Sequence, residues 1–166
     1  MMLILLIFQV PIKEPNDYNI FLSFLKAQKF SLDEKNLVGI VGSPTSIVNF
    51  KRVFVGLENF IYHEMDEPEL IKTVLDAMSE NCYKQYKLIA KNSPCDVILF
   101  WDDANSLYLC LDMFEQYSVP VMQRYAEIAH RYGKTLVCHT CGNINSFLEI
   151  FLQAGIDAGD WVAPSQ

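Results

Sequence analysis

An α/β fold built on a parallel sheet is predicted, on three observations. Short apolar runs alternate with helix-length periodic segments along the chain. Those intervening segments run to ten residues or more, the spacing of βαβ units and not of hairpins. Polar and reactive residues then fall just after the apolar runs: Ser43 and Thr45, Asp102 and Asp103, His139 and Cys141. Three strand exits so furnished imply one functional face at the carboxyl ends of the strands.

The elements follow in order. Met1 to Val10 is almost wholly apolar and predicts a buried strand ending at Pro11. It lacks the basic start and small-residue cleavage site of a signal peptide, and it is too short to span a bilayer. Lys13 to Asp17, with Pro15 inside it, predicts a loop. Tyr18 to Phe30 predicts a helix, with Ile20, Phe21, Phe24 and Leu25 on one face. Leu37 to Val41 is a strand run closed by Gly42-Ser43-Pro44. Asp66 opens the clearest helix: it is placed to cap, Glu69 to reach back, and Pro68 to occupy the first turn. Ile71, Val74, Leu75, Met78, Cys82 and Ile89 carry its apolar face, and Ser93-Pro94 ends it.

Val97 to Trp101 predicts a buried strand with Asp102-Asp103 at its exit. Asp112 is placed to cap the next helix, which Pro120 divides. Val121, Met122, Tyr125, Ile128, Ala129 and Tyr132 carry the second part, and Gly133 suits the position just past its end. Thr135 to Cys141 is the next strand, Ser146 to Ala154 a helix stopped by Gly155, and Asp157 to Val162 a last strand. The count is roughly five strands in one domain, residues 1–166.

Composition narrows the function. The net charge is −7, with basic residues scattered and arginine confined to Arg52, Arg124 and Arg131. That argues against nucleic acid as a partner. Five cysteines, odd in number and irregularly spaced, fit a reducing, cytoplasmic setting better than a disulfide framework. No stretch calls for a membrane.

The chemistry concentrates in Val137-Cys138-His139-Thr140-Cys141-Gly142-Asn143. On a strand, alternate side chains share a face, so His139 and Cys141 point one way and Cys138 the other. An imidazole and a thiol at one strand exit can share a zinc ion. The plainer reading is a half-buried histidine and a small apolar cysteine packed at a strand end. Asp102 and Asp103 are the candidate catalytic or orienting carboxylates, and a solvated, capping loop is their plainer reading. His63 and His130 lie beside helical patterns as surface groups. Cys82, Cys95 and Cys110 look structural, and Trp101 and Trp161 are read as core ahead of cofactor stackers.

Gly56-Leu57-Glu58-Asn59-Phe60, followed by Met65 to Leu70, resembles a stretch of the uroporphyrinogen decarboxylase superfamily. Phe100-Trp101-Asp102-Asp103 is similar to its aspartate-bearing strand end. Phe114 to Pro120, His139 to Ile144 and Asp157 to Pro164 follow its later landmarks in order. The resemblance implies a (β/α)8 TIM barrel, whose active sites sit at the carboxyl-end face. It also implies one of two chemistries. One is cofactor-free decarboxylation of uroporphyrinogen. The other is zinc-dependent methyl transfer from a corrinoid protein to a small thiol such as coenzyme M, with His139 and Cys141 as metal ligands. Though Trp101 and Trp161 are read first as core, a corrinoid or porphyrin would suit either.

Two departures qualify the resemblance. The methyltransferase branch takes a third zinc ligand from a later cysteine, and no cysteine follows Cys141. The 166 residues also fall short of the roughly 250 that such a barrel uses. The expectation is therefore a fragment: an open part-barrel, prone to self-association through its free edges and inactive alone. Met1 to Phe30 holds no arginine, whereas a polycarboxylate substrate calls for several. This favours methyl transfer over decarboxylation, with a non-catalytic barrel remnant as the third reading.

Overall fold

The computed structural model describes residues 3–5, 37–102, 110–140 and 144–161. The expected helix over Tyr18–Phe30 and most of the Met1–Val10 run lie outside the described residues, as do Asp103 and Cys141. Within them the chain forms one five-stranded parallel sheet: β1 (Leu3–Leu5), β2 (Leu37–Val41), β3 (Val97–Trp101), β4 (Thr135–Thr140) and β5 (Ala158–Trp161). Spatial order equals chain order, β1-β2-β3-β4-β5, and every neighbouring pair is parallel. A doubly wound sheet reverses order at a switch point, and a (β/α) barrel does not. This is the order of five consecutive barrel strands.

Between β2 and β3 the chain forms α1 (Ser46–Asn49), a π-helical turn (Phe50–Val55), α2 (Leu57–Asp66) and α3 (Pro68–Asn92). The sequence reading had no helix between the Gly42-Ser43-Pro44 loop and Asp66, and Asp66 proves to be the last residue of α2, not a cap. The cause is visible in burial. Only Phe60 of α2 is buried, while Ile61, Tyr62 and Met65 are exposed, so no apolar stripe marks the element. Glu67 breaks the helical path with φ −141°, as the residue before a proline tends to. Pro68 then starts α3, where its missing N–H costs nothing.

The α3 stripe runs Ile71, Leu75, Ser79, Cys82, Tyr86 and Ala90, all buried. It is rotated slightly from the expected face, leaving Val74, Met78 and Ile89 half-buried. Ser79 is tolerated inside because its hydroxyl donates to the Leu75 carbonyl, and it also hydrogen-bonds the Ser46 hydroxyl, both at 2.8 Å.

After β3 come α4 (Leu111–Met113), a second π-helical turn (Phe114–Ser118) and α5 (Val119–Arg131). Cys110, not Asp112, precedes the first helical residue. Pro120 sits in the first turn of α5, directly after the π-helical turn. The expected face of α5 is buried, from Val121 to Ala129. Gly133 follows it at φ +66°, the left-handed conformation in which a side chain would be strained. A 3-10 turn (Asn145–Phe147) and α6 (Leu148–Gln153) lead to β5.

The helices cover one face of the sheet. Val38 and Ile40 of β2, Ile98 and Phe100 of β3, and Leu136 and Cys138 of β4 all lie in that core. The other face, inward in a barrel, carries Val41, Trp101, Val137 and His139, each half-buried. Among the described residues, no helix is long and apolar enough to cross a membrane.

Candidate active site

The strand exits are built by hydrogen bonds between elements. Asp102, next after β3, is only 2% exposed. Its alternation follows Ile98 and Phe100, which turns its carboxylate to the helix-covered side. There Oδ2 accepts a short hydrogen bond from Thr45 Oγ1 and a longer one, 3.4 Å, from Ser118 Oγ. Thr45 lies in the loop after β2 and Ser118 at the start of α5, and both are buried. One carboxylate thus fastens two neighbouring elements to β3.

Two tyrosines hold the same β2 loop from outside. Tyr86 Oη donates to the Ser43 carbonyl at 2.9 Å, and Tyr125 Oη to the Pro44 carbonyl at 3.0 Å. Their rings stack 3.7 Å apart at an interplanar angle of 7°. Burial pushes both phenols well above their ordinary range, so they remain neutral donors. Gly42 is required beneath them: a Cβ there would lie 2.5 Å from Tyr86 Oη.

On the inward face the exits present a different set. His139 pairs in register with Trp101 of β3 and with Asp160 of β5. The guanidinium of Arg52, from the first π-helical turn, lies 5.5 Å from the centre of the Trp101 ring. That is cation–π distance. Arg52, Trp101 and His139 therefore line one side of the mouth. Sequence reasoning passed over Arg52 and read Trp101 as core ahead of a cofactor stacker; the structure packs it half-buried against the core. The signals were an arginine shortly after a strand exit and an aromatic at strand parity with His139, but register between strands cannot be read from a linear sequence.

Of the expected site residues, the structure places Asp102 and His139 side by side. The Asp102 amide donates to the His139 carbonyl at 3.0 Å. The Asp102 carboxylate turns to Thr45 and Ser118, while His139 occupies the inward face. Asp103 and Cys141 lie outside the described residues. Cys138, in the core, has its thiol pushed well up by burial, with the Asp102 charge adding to the effect. It is a packing residue and not a metal ligand in waiting.

The donor set suits zinc in kind. An imidazole on the open face, with a thiol two positions later, is a nitrogen–sulfur pair of the sort zinc accepts. Two donors do not complete a site. Among the described residues, no group of three or more histidine, cysteine or acidic side chains is placed to hold a metal ion.

The uroporphyrinogen decarboxylase (URO-D) family matches residues 10–162 of the chain. No curated protein matches it. Among solved structures, a methyltransferase from Methanosarcina mazei superposes with a TM-score of 0.66 at 19% sequence identity. The match covers 85% of this chain and 40% of that one, so the chain spans about half the length of that protein. At this identity the likeness speaks for the fold.

Proposed function

This chain belongs to the uroporphyrinogen decarboxylase family, and from that premise we propose that it serves zinc-dependent methyl transfer from a corrinoid protein to a small thiol. The observation that carries the proposal is the placement of His139 on the inward face at the β4 exit, half-buried beside Trp101. The methyltransferase fold of the structural neighbour supports the same branch.

In this reading His139 and Cys141 hold the metal together with further donors. When bound, zinc would lower the proton affinity of the acceptor thiol and so make it a nucleophile near neutral pH. The protein groups do the rest. Trp101 stands beside His139 in strand register, with the Arg52 guanidinium at cation–π distance from its ring. Arg52 offers a positive charge at the mouth. Asp102 acts at one remove, holding the Thr45 loop and the start of α5 against the strand that carries Trp101. Asp103 is the carboxylate retained as a candidate partner for the second His139 nitrogen.

Decarboxylation of uroporphyrinogen is the second reading, favoured by the family match itself. A substrate with many carboxylates needs several cations, and Arg52 is the arginine found at this mouth. The test is a paired assay of the full-length protein. Methylation of a thiol by a methyl-corrinoid protein, abolished in His139→Ala, is the expected result. Release of carbon dioxide from uroporphyrinogen, with no thiol methylation, would overturn it.

A further inference from the structure

We propose that the outer cleft between α3 and α5 is a binding site for a small organic phosphate, separate from the strand-exit site. The cleft has a volume of about 160 Å³. Lys84 and Lys87 from α3 and Arg124 and Arg131 from α5 supply four cations around it. They gather there although the chain is acidic overall, at −7, and two of its three arginines are among them. Glu80 is the acid that shares the lining.

Helical spacing produces the arrangement. Glu80, Tyr83, Lys84 and Lys87 stand three, four and seven positions apart on α3, which is one face of a helix. Arg124, Ile128 and Arg131 do the same on α5. The two stripes face each other across a floor of Tyr83, Ile128 and Tyr132, all at least half-buried. Burial pushes the Tyr83 phenol up, so that phenol stays neutral.

The cations are of two kinds. Both arginines bind Glu127, Arg124 through Nη1 and Arg131 through Nη2 at 2.7 Å. Glu127 thus orients both guanidinium groups from one side, leaving other N–H donors of each fork uncommitted. Lys84 and Lys87 have no hydrogen-bond or ion-pair partner among the described residues. Two oriented forks facing two uncommitted ammonium groups suit a compact dianion. Arginine meets its oxygens in a bidentate way and lysine meets it as a point charge. The tyrosine and isoleucine floor suits an organic body on that anion. The volume is close to that of a cavity which holds one benzene ring.

The test uses the full-length protein, titrated calorimetrically with phenyl phosphate and with inorganic phosphate at constant ionic strength. Saturable binding of phenyl phosphate is expected, tighter than that of inorganic phosphate. It should strengthen from pH 5.5 to 7.5 as the dianion forms, with the phosphate group titrating near 6. The exposed pair Lys84→Gln, Lys87→Gln should weaken binding by about tenfold or more while the ligand-free melting temperature stays unchanged. Equal affinity in that variant, or no saturable binding by the parent protein, would overturn the proposal. Thiol methylation by the variant reports on the strand-exit site independently and should stay at the parent level.

Discussion

The amide of Asp102 donates to the carbonyl oxygen of His139 at 3.0 Å, yet the two side chains serve opposite faces of the sheet. The Asp102 carboxylate looks outward, to Thr45 and Ser118, and braces the exits from behind. His139 looks inward and is half-buried. This division of labour makes separate predictions for the two residues.

Asp102→Ala should destabilise the full-length protein strongly. It removes the acceptor of two buried hydroxyls, Thr45 and Ser118, and opens a small cavity. A loss of about 2–4 kcal/mol is expected, a shift of roughly 1–2 M in the urea midpoint. Asp102→Asn keeps an oxygen acceptor and should lose about half as much. An unchanged midpoint for the alanine variant would refute the bracing role.

Gly42→Ala should lower the melting temperature by roughly 4–10 °C. The new methyl group meets the Tyr86 ring and hydroxyl, and Tyr86 cannot retreat because Tyr125 stacks against it. Tyr86→Phe loses the hydrogen bond to Ser43 and should cost only about 1 kcal/mol. Differential scanning calorimetry separates the two. A Gly42→Ala protein as stable as the parent would show that the loop is not packed as described.

Alkaline pH should unfold the protein through its buried acids. The Cys138 thiol and the Tyr86 and Tyr125 phenols are all raised in the folded state by burial. Their ordinary values are 9.0 for the thiol and 10.0 for the phenols. Above those values the unfolded chain has released protons that the folded chain still holds, so stability falls with rising pH. It is fully present below pH 9.0 as far as Cys138 is concerned, and is lost progressively above it. Urea midpoints at successive pH values check this. In the same range, alkylation mapped by mass spectrometry should mark the exposed Cys110 well before the buried Cys82 or Cys138.

Much of the fold was legible because it is written in local periodicity. The apolar run Val97–Trp101, the stripe of α3 and the left-handed glycine after α5 each follow from a few adjacent residues. The segment from Ser46 to Asp66 was not legible, because α2 buries only Phe60 and shows no apolar stripe, and a π-helical turn breaks the 3.6-residue period before it. The site was legible in part. The inward turn of His139 is a matter of strand parity, and the outward turn of Asp102 follows the same rule from Ile98 and Phe100. The pairing of His139 with Trp101, and the reach of Arg52 over that ring, depend on register and on helix placement. The order of residues hints at both residues but gives neither the register nor the helix placement that brings them together.

Zinc content tests the central claim most directly. The full-length protein, purified without added metal, should carry about one zinc ion per chain. The His139→Ala, Cys141→Ser double variant should carry almost none, with its far-ultraviolet circular dichroism preserved. Equal zinc in the two proteins, or none in the parent even after incubation with zinc, would contradict the account.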